Sequence, residues 1–75
     1  MDRNHLHPKK LHRSKWTAVA PVDREKHFLV TAVVEPEREG APVEFVELEA
    51  VLSRRTFRIA WRELTDPQRW RQGWL

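Results

Sequence analysis

Two runs between Val46 and Arg62 repeat with a period of two, and that period admits one kind of backbone. Val46, Leu48, Ala50 and Leu52 alternate with Glu47 and Glu49, and Phe57, Ile59 and Trp61 alternate with Arg58 and Arg62. Successive side chains of a strand point to opposite faces, so each run gathers its apolar set on one face and its charges on the other. A helix would scatter both around its circumference. The runs are expected to form a hairpin through Ser53-Arg54-Arg55-Thr56, with Leu52 opposite Phe57, Ala50 opposite Ile59 and Leu48 opposite Trp61. Glu47 then meets Arg62, and Glu49 lies diagonal to both arginines, so one register serves the apolar face and the charge pairs together. Upstream, Phe45 breaks the alternation, and a bulge there is expected to turn Phe45 and Val46 both inward.

Other segments read as β structure too. Lys15 to Ala20 forms a first strand closed by Pro21, and Val22-Asp-Arg-Glu-Lys26 is polar and turn-forming. His27 to Val34 is β-branched and apolar on both faces, which suits a strand buried on two sides or strongly curled. Glu35 to Pro42 holds two prolines and a glycine and reads as a loop. Thr65 with Gln68 has the form of a capping box, and Asp66-Pro67 puts proline at a first helical position. A short helix is expected there, stopped by Gly73, with Trp70 and Trp74 on one side. The expected fold is mostly β: a four-stranded curled antiparallel meander or small SH3-like barrel with a short C-terminal helix, an open sheet with that helix across one face being the alternative.

With 75 residues the chain holds one domain at most. Domains of ~60 residues hide only about 60% of the surface that the unfolded chain exposes, so they need staples. There is no cysteine, which removes disulfides, thiolate zinc ligands and a thiol nucleophile. Four tryptophans and three phenylalanines are the available substitute, each burying roughly 150–250 Å². Residues 1–13 are basic, with little apolar content, and are expected to be a mobile or loosely docked arm on a single β domain of residues 14–75. Apolar runs such as Phe28-Leu29-Val30 fall far short of the ~20 residues that span a bilayer, and no apolar stretch follows the basic start as in a signal peptide. A cytoplasmic, non-membrane protein is the expectation.

The residues Pro8-Lys-Lys-Leu11, Ser14-Lys-Trp-Thr-Ala18, Pro21, Lys26-His-Phe28, Leu48-Glu-Ala-Val-Leu52, Trp61-Arg-Glu-Leu64 and Arg69-Trp-x-x-Gly-Trp74 resemble a family of small tryptophan-rich bacterial proteins of unknown function. The resemblance runs from about Pro8 to Trp74. It implies a short, stand-alone, cytoplasmic bacterial chain, and it supplies no activity and no catalytic residue.

Candidate chemistry is sparse. His5, His7 and His12 have imidazoles for a soft divalent ion, but an arm does not fix their geometry. The glutamates at 35, 37, 39, 44, 47 and 49 invite acid–base roles, yet no nucleophile with its base and no glycine-rich phosphate cradle accompanies them. Neither an enzyme nor a cofactor is expected. The strongest signal is cationic. Arg54, Arg55, Arg58 and Arg62 cluster around the hairpin, and Lys9, Lys10 and Arg13 lie in the arm. Arginine favours bidentate phosphate or carboxylate partners, and small curled sheets bearing arginine beside an exposed aromatic bind single strands. The expected function is a small module binding RNA or single-stranded DNA through these residues, or else a protein–protein adaptor.

Overall fold

The computed structural model describes residues 4–75. Five antiparallel strands form one sheet: β1 (Lys15–Val22), β2 (Glu25–Val33), β3 (Phe45–Ala50), β4 (Thr56–Ala60) and β5 (Trp70–Gln72), in the order β4-β3-β2-β1-β5. The expected curled meander is present in the first four, but the ladder does not close between β4 and β5. The sheet is therefore open rather than a barrel.

Local chemistry sets each bend. Asp23 and Arg24, at φ 53° and 65°, join β1 to β2 with Val22 opposite Glu25. Positive φ at both central residues marks the type I′ turn, whose twist matches that of the strands it joins. In β2, Thr31 is an extra residue between Val30, opposite Leu48, and Ala32, opposite Glu47. This bulge curls the strand and lets its apolar run serve both faces. Pro21 lies beyond the reach of β5, where its missing N–H breaks no ladder bond.

The β3–β4 hairpin keeps the expected faces but not the expected register. Phe57 pairs with Leu48, not Leu52, Ile59 pairs with Val46, and Glu47 faces Arg58. The four-residue loop begins two residues earlier, and Leu52 lies in it, 69% exposed. Ala50 N–H donates to Arg55 O at 2.8 Å, and Arg54 N–H donates to Ala50 O at 2.8 Å. Arg54, the last loop residue, is left-handed at φ 64°. The expected register would have put β-branched Thr56 in that place, and a β-branched side chain tolerates positive φ badly. The bulge lies in β2, so Phe45 faces outward while Val46 is buried.

The C-terminal helix is replaced by a 3-10 turn at Trp61–Thr65, a bend, and β5. Asp66 caps as expected, its Oδ1 accepting from Gln68 N–H at 2.9 Å. A single turn is unstable alone, and Trp70 leaves it to pair with Ala18 of β1. Trp70 therefore packs into the core as a strand residue, edge-on to Phe28 with ring centroids 5.1 Å apart. Gly73, at φ 87°, turns the chain so that Trp74 lies on the opposite face.

The core joins Trp16, Phe28, Val30, Val46, Leu48, Ala50, Leu64, Trp70 and Leu11. Leu11 belongs to the segment expected as an arm, and its side chain is buried in this core. Residues 4–13 include a 3-10 turn at Pro8–Lys10, and Leu6 packs against the core. Arg13 N–H donates to Val30 O at 2.8 Å. The Asn4 amide donates to Leu64 O at 2.9 Å and to Trp70 O at 3.0 Å. Leucines at 6 and 11 were too few to show a period, yet two suffice to cap an open sheet. The first three residues of that segment lie outside the described residues.

Candidate functional site

The cations singled out from the sequence divide among three places. Arg54 and Arg55, at the hairpin tip, are engaged internally. Arg54 lies 3.6 Å from Glu49. Arg55 grips Glu25 through Nη2–Oε1 at 2.6 Å and Nε–Oε2 at 3.1 Å, and Ser53 Oγ donates to the same carboxylate at 2.5 Å. The Arg55 and Ser53 hydrogen bonds hold the Glu25 carboxyl below its ordinary pKa, and Glu25 in turn raises that of Arg55.

Arg58 and Arg62, expected to be held by Glu47 and Glu49, have no carboxylate within 4.0 Å among the described residues. The Glu47 carboxylate accepts instead from Thr31 Oγ1 at 2.8 Å. The guanidinium of Arg58 lies 6.0 Å from the Phe45 ring centre, and that of Arg62 lies 5.4 Å from Trp61. Phe45 is 38% exposed, so an aromatic does stand exposed among the arginines. The groove beside it is also lined by Glu35, Glu37 and Glu44, whose charges oppose a phosphate. Lys9 borders a neighbouring groove with Glu35 and Glu39.

Lys10 and Arg13 meet elsewhere. They line a groove of about 510 Å³ between the Pro8–Lys10 turn and the end of β5, together with His5, His7 and Lys15. Ser14, Gln72 and Gly73 supply its polar remainder, and among the described residues no carboxylate side chain lines it. Lys15 links the groove to Trp74, with its Nζ 4.7 Å from the ring centre. Trp74 is 43% exposed and is held in place by its indole N–H, which donates to Phe28 O at 2.9 Å. His27 flanks the same ring at 6.1 Å and hydrogen-bonds Leu75 O through Nε2 at 3.0 Å. Thr17 fixes this corner by donating to Gly73 O at 2.6 Å and accepting from Leu75 N–H at 3.0 Å.

Sequence reasoning missed Lys15, the placement of His5 and His7 in the same groove as Lys10 and Arg13, and Trp74 as a surface aromatic. Lys15 could have been found, because it occupies the outward position next to inward Trp16. Its meeting with Trp74 depends on the β1–β5 ladder, which no local pattern announces. Among the described residues, no three histidine, aspartate or glutamate side chains gather into a metal-holding group, and no helix is long and apolar enough to cross a membrane.

An open, curled antiparallel sheet, with Trp16 and Trp70 in its core, Trp74 bonded to its backbone and Trp61 bonded to Val43 O in the loop before β3, defines a small tryptophan-rich β protein. The chain belongs to the family described as Tryptophan-rich protein (DUF2389), a family of unknown function matched over residues 14–75. No curated protein and no solved structure matches it.

Proposed function

We propose that this chain is a small binding module, not an enzyme, that takes single-stranded RNA or DNA along the groove of Lys10, Arg13 and Lys15. One observation carries the reading: three cations and two histidines line a groove to which no carboxylate residue contributes among the described residues. The other cations singled out from the sequence pair with glutamates or share a groove with them. Trp74, fixed and exposed beside Lys15, adds a stacking platform of the kind that single-strand binders use. The interface thus moves from the hairpin arginines to the groove between the N-terminal segment and β5.

Titration of RNA and DNA oligonucleotides across a salt series tests this. Affinity is expected to fall linearly with salt on logarithmic axes, with a slope of ~0.7 per neutralised phosphate for single strands. Replacing Lys10 and Lys15 with alanine is expected to weaken binding evenly across sequences and to flatten the slope by about 1–2. Arg54→Ala and Arg55→Ala are expected to leave the slope unchanged, because Glu49 and Glu25 already hold those guanidinia. Binding no tighter than the ~10⁻⁴ M end of non-specific association overturns the proposal in favour of a protein adaptor.

A further inference from the structure

Strand β4 closes one side of the sheet, and only β3 pairs with it. Trp61 N–H donates to Glu44 O at 3.1 Å, and Ala50 N–H donates to Arg55 O at 2.8 Å. These bonds fix the phase of the ladder, so residues 55, 57, 59 and 61 turn their backbone groups toward β3. Antiparallel alternation then directs the N–H and C=O groups of Thr56 and Arg58 and the N–H of Ala60 to the open side, while the Ala60 C=O begins the Trp61–Thr65 turn. Among the described residues, no loop or turn backbone bond reaches them.

We propose that this edge docks an extended segment of another protein in which acidic and apolar residues alternate, added as a further antiparallel strand. The surface is distinct from the cationic groove, and the inference does not rest on the nucleic-acid reading. Edge addition uses main-chain hydrogen bonds for affinity and alternate side chains for selection. Both selecting features are present. On the outer face stands Arg58, exposed. It borders the groove that Glu35, Glu37 and Glu44 also line, but none of their carboxylates comes within 4.0 Å, so its guanidinium is left for a carboxylate of the added strand. On the inner face, Phe57 and Ile59 are only partly buried.

The strand already paired with β4 displays the matching chemistry. Along β3, Glu47 faces Arg58, while Leu48 and Val46 face Phe57 and Ile59. A strand of the same alternation on the free side would bring a second carboxylate toward Arg58 and cover the exposed flanks of Phe57 and Ile59. A second copy of β4 is the poorer occupant. Centred antiparallel pairing of two β4 strands sets Arg58 against Arg58, and like charges directly opposite are destabilising. The edge is thus guarded against its twin while it stays open to an acidic strand.

The test uses the full chain and a synthetic peptide with the sequence of residues 44–50, monitored by amide shifts and hydrogen exchange. Protection is expected to rise at the Thr56, Arg58 and Ala60 amides, and a peptide with lysine in place of each glutamate is expected not to bind. Ala60→Pro removes one outward donor without touching the β3 ladder, because Ala60 already holds φ −65°, the value that proline imposes. It is expected to melt as the parent does and to lose the peptide. Arg58→Glu is expected to reverse the preference toward the lysine peptide, and it keeps the idea testable should the proline variant fail to fold. Equal binding of both peptides, binding retained by Ala60→Pro, or loss of protection in the β2–β3 ladder through displacement of β3 would each overturn the proposal.

Discussion

Glu25 is 8% exposed, a setting in which a carboxylate survives only with partners. Arg55 presents it with two nitrogens and Ser53 with a hydroxyl, so the tip of the β3–β4 hairpin is clamped to the start of β2. The linkage has a definite sign. The folded carboxyl binds its proton less readily than the unfolded one, so the clamp stabilises the fold above the ordinary glutamate pKa of about 4.3. That contribution fades as the pH falls through the lowered folded value. Glu25→Gln is expected to reduce stability near neutrality and to shrink the loss between neutral and acidic pH, as read from denaturation midpoints across a pH series. An acid limb identical to that of the parent would show that the clamp contributes nothing. The charge pattern gave Glu47 and Glu49 to Arg58 and Arg62 and left Arg54 and Arg55 to a ligand, the reverse of the pairing found. Glu25 is thirty positions from Arg55, and pairing by nearest register could not find it.

Two of the three connections among the first four strands are tight hairpins, and both turn on residues that disfavour their own conformation. Arg24 and Arg54 are left-handed without being glycine, which costs a residue with a Cβ roughly 1–2 kcal/mol. In the β1–β2 turn, Arg24→Gly creates the Asp-Gly pair that type I′ turns prefer. The gain is expected to be about 0.5–1 kcal/mol, because glycine also loses more entropy on folding. A raised midpoint in chemical denaturation would show it, and a lowered one would contradict the turn assignment. Element by element, what the sequence made legible was parity. Side-chain alternation correctly sent Leu48, Phe57 and Ile59 inward and Arg58 outward. Register was less legible, because moving the loop by two residues changes each partner by four and preserves every face, and only the loop's backbone decides between the two. The C-terminal helix failed for a related reason: Asp66-Pro67 starts a turn well, but the fate of the next residues depends on a partner strand far away in sequence.

At the scale of the whole molecule, the open sheet is covered from both ends of the described chain. Leu11 and Leu6 come from one end and Trp70 from the other, and Asn4 bonds the two together. Removing residues 1–13 is expected to expose the side of Trp16 and to lower the melting temperature. Loss of a buried leucine alone costs about 2–5 kcal/mol. An unchanged melt after that deletion would mean that this segment is indeed a loose appendage. The individual strands were readable because each carries its own period. The order β4-β3-β2-β1-β5 was not, because the pattern of β5 is three residues long and identical in kind to a turn of helix.

The β1–β5 ladder also bears on time. It joins partners such as Trp16 and Gln72, 56 positions apart. Closing so long a span comes late, since chain entropy is lost before the contact returns anything, and topologies dominated by such pairings fold in milliseconds to seconds instead of microseconds. A chain leaving the ribosome can assemble the meander of β1 to β4, but the edge of β1 stays bare until Trp70 to Gln72 have been made. During synthesis, then, the last part of the sheet to appear is also the part that completes the groove between Lys10 and Gly73.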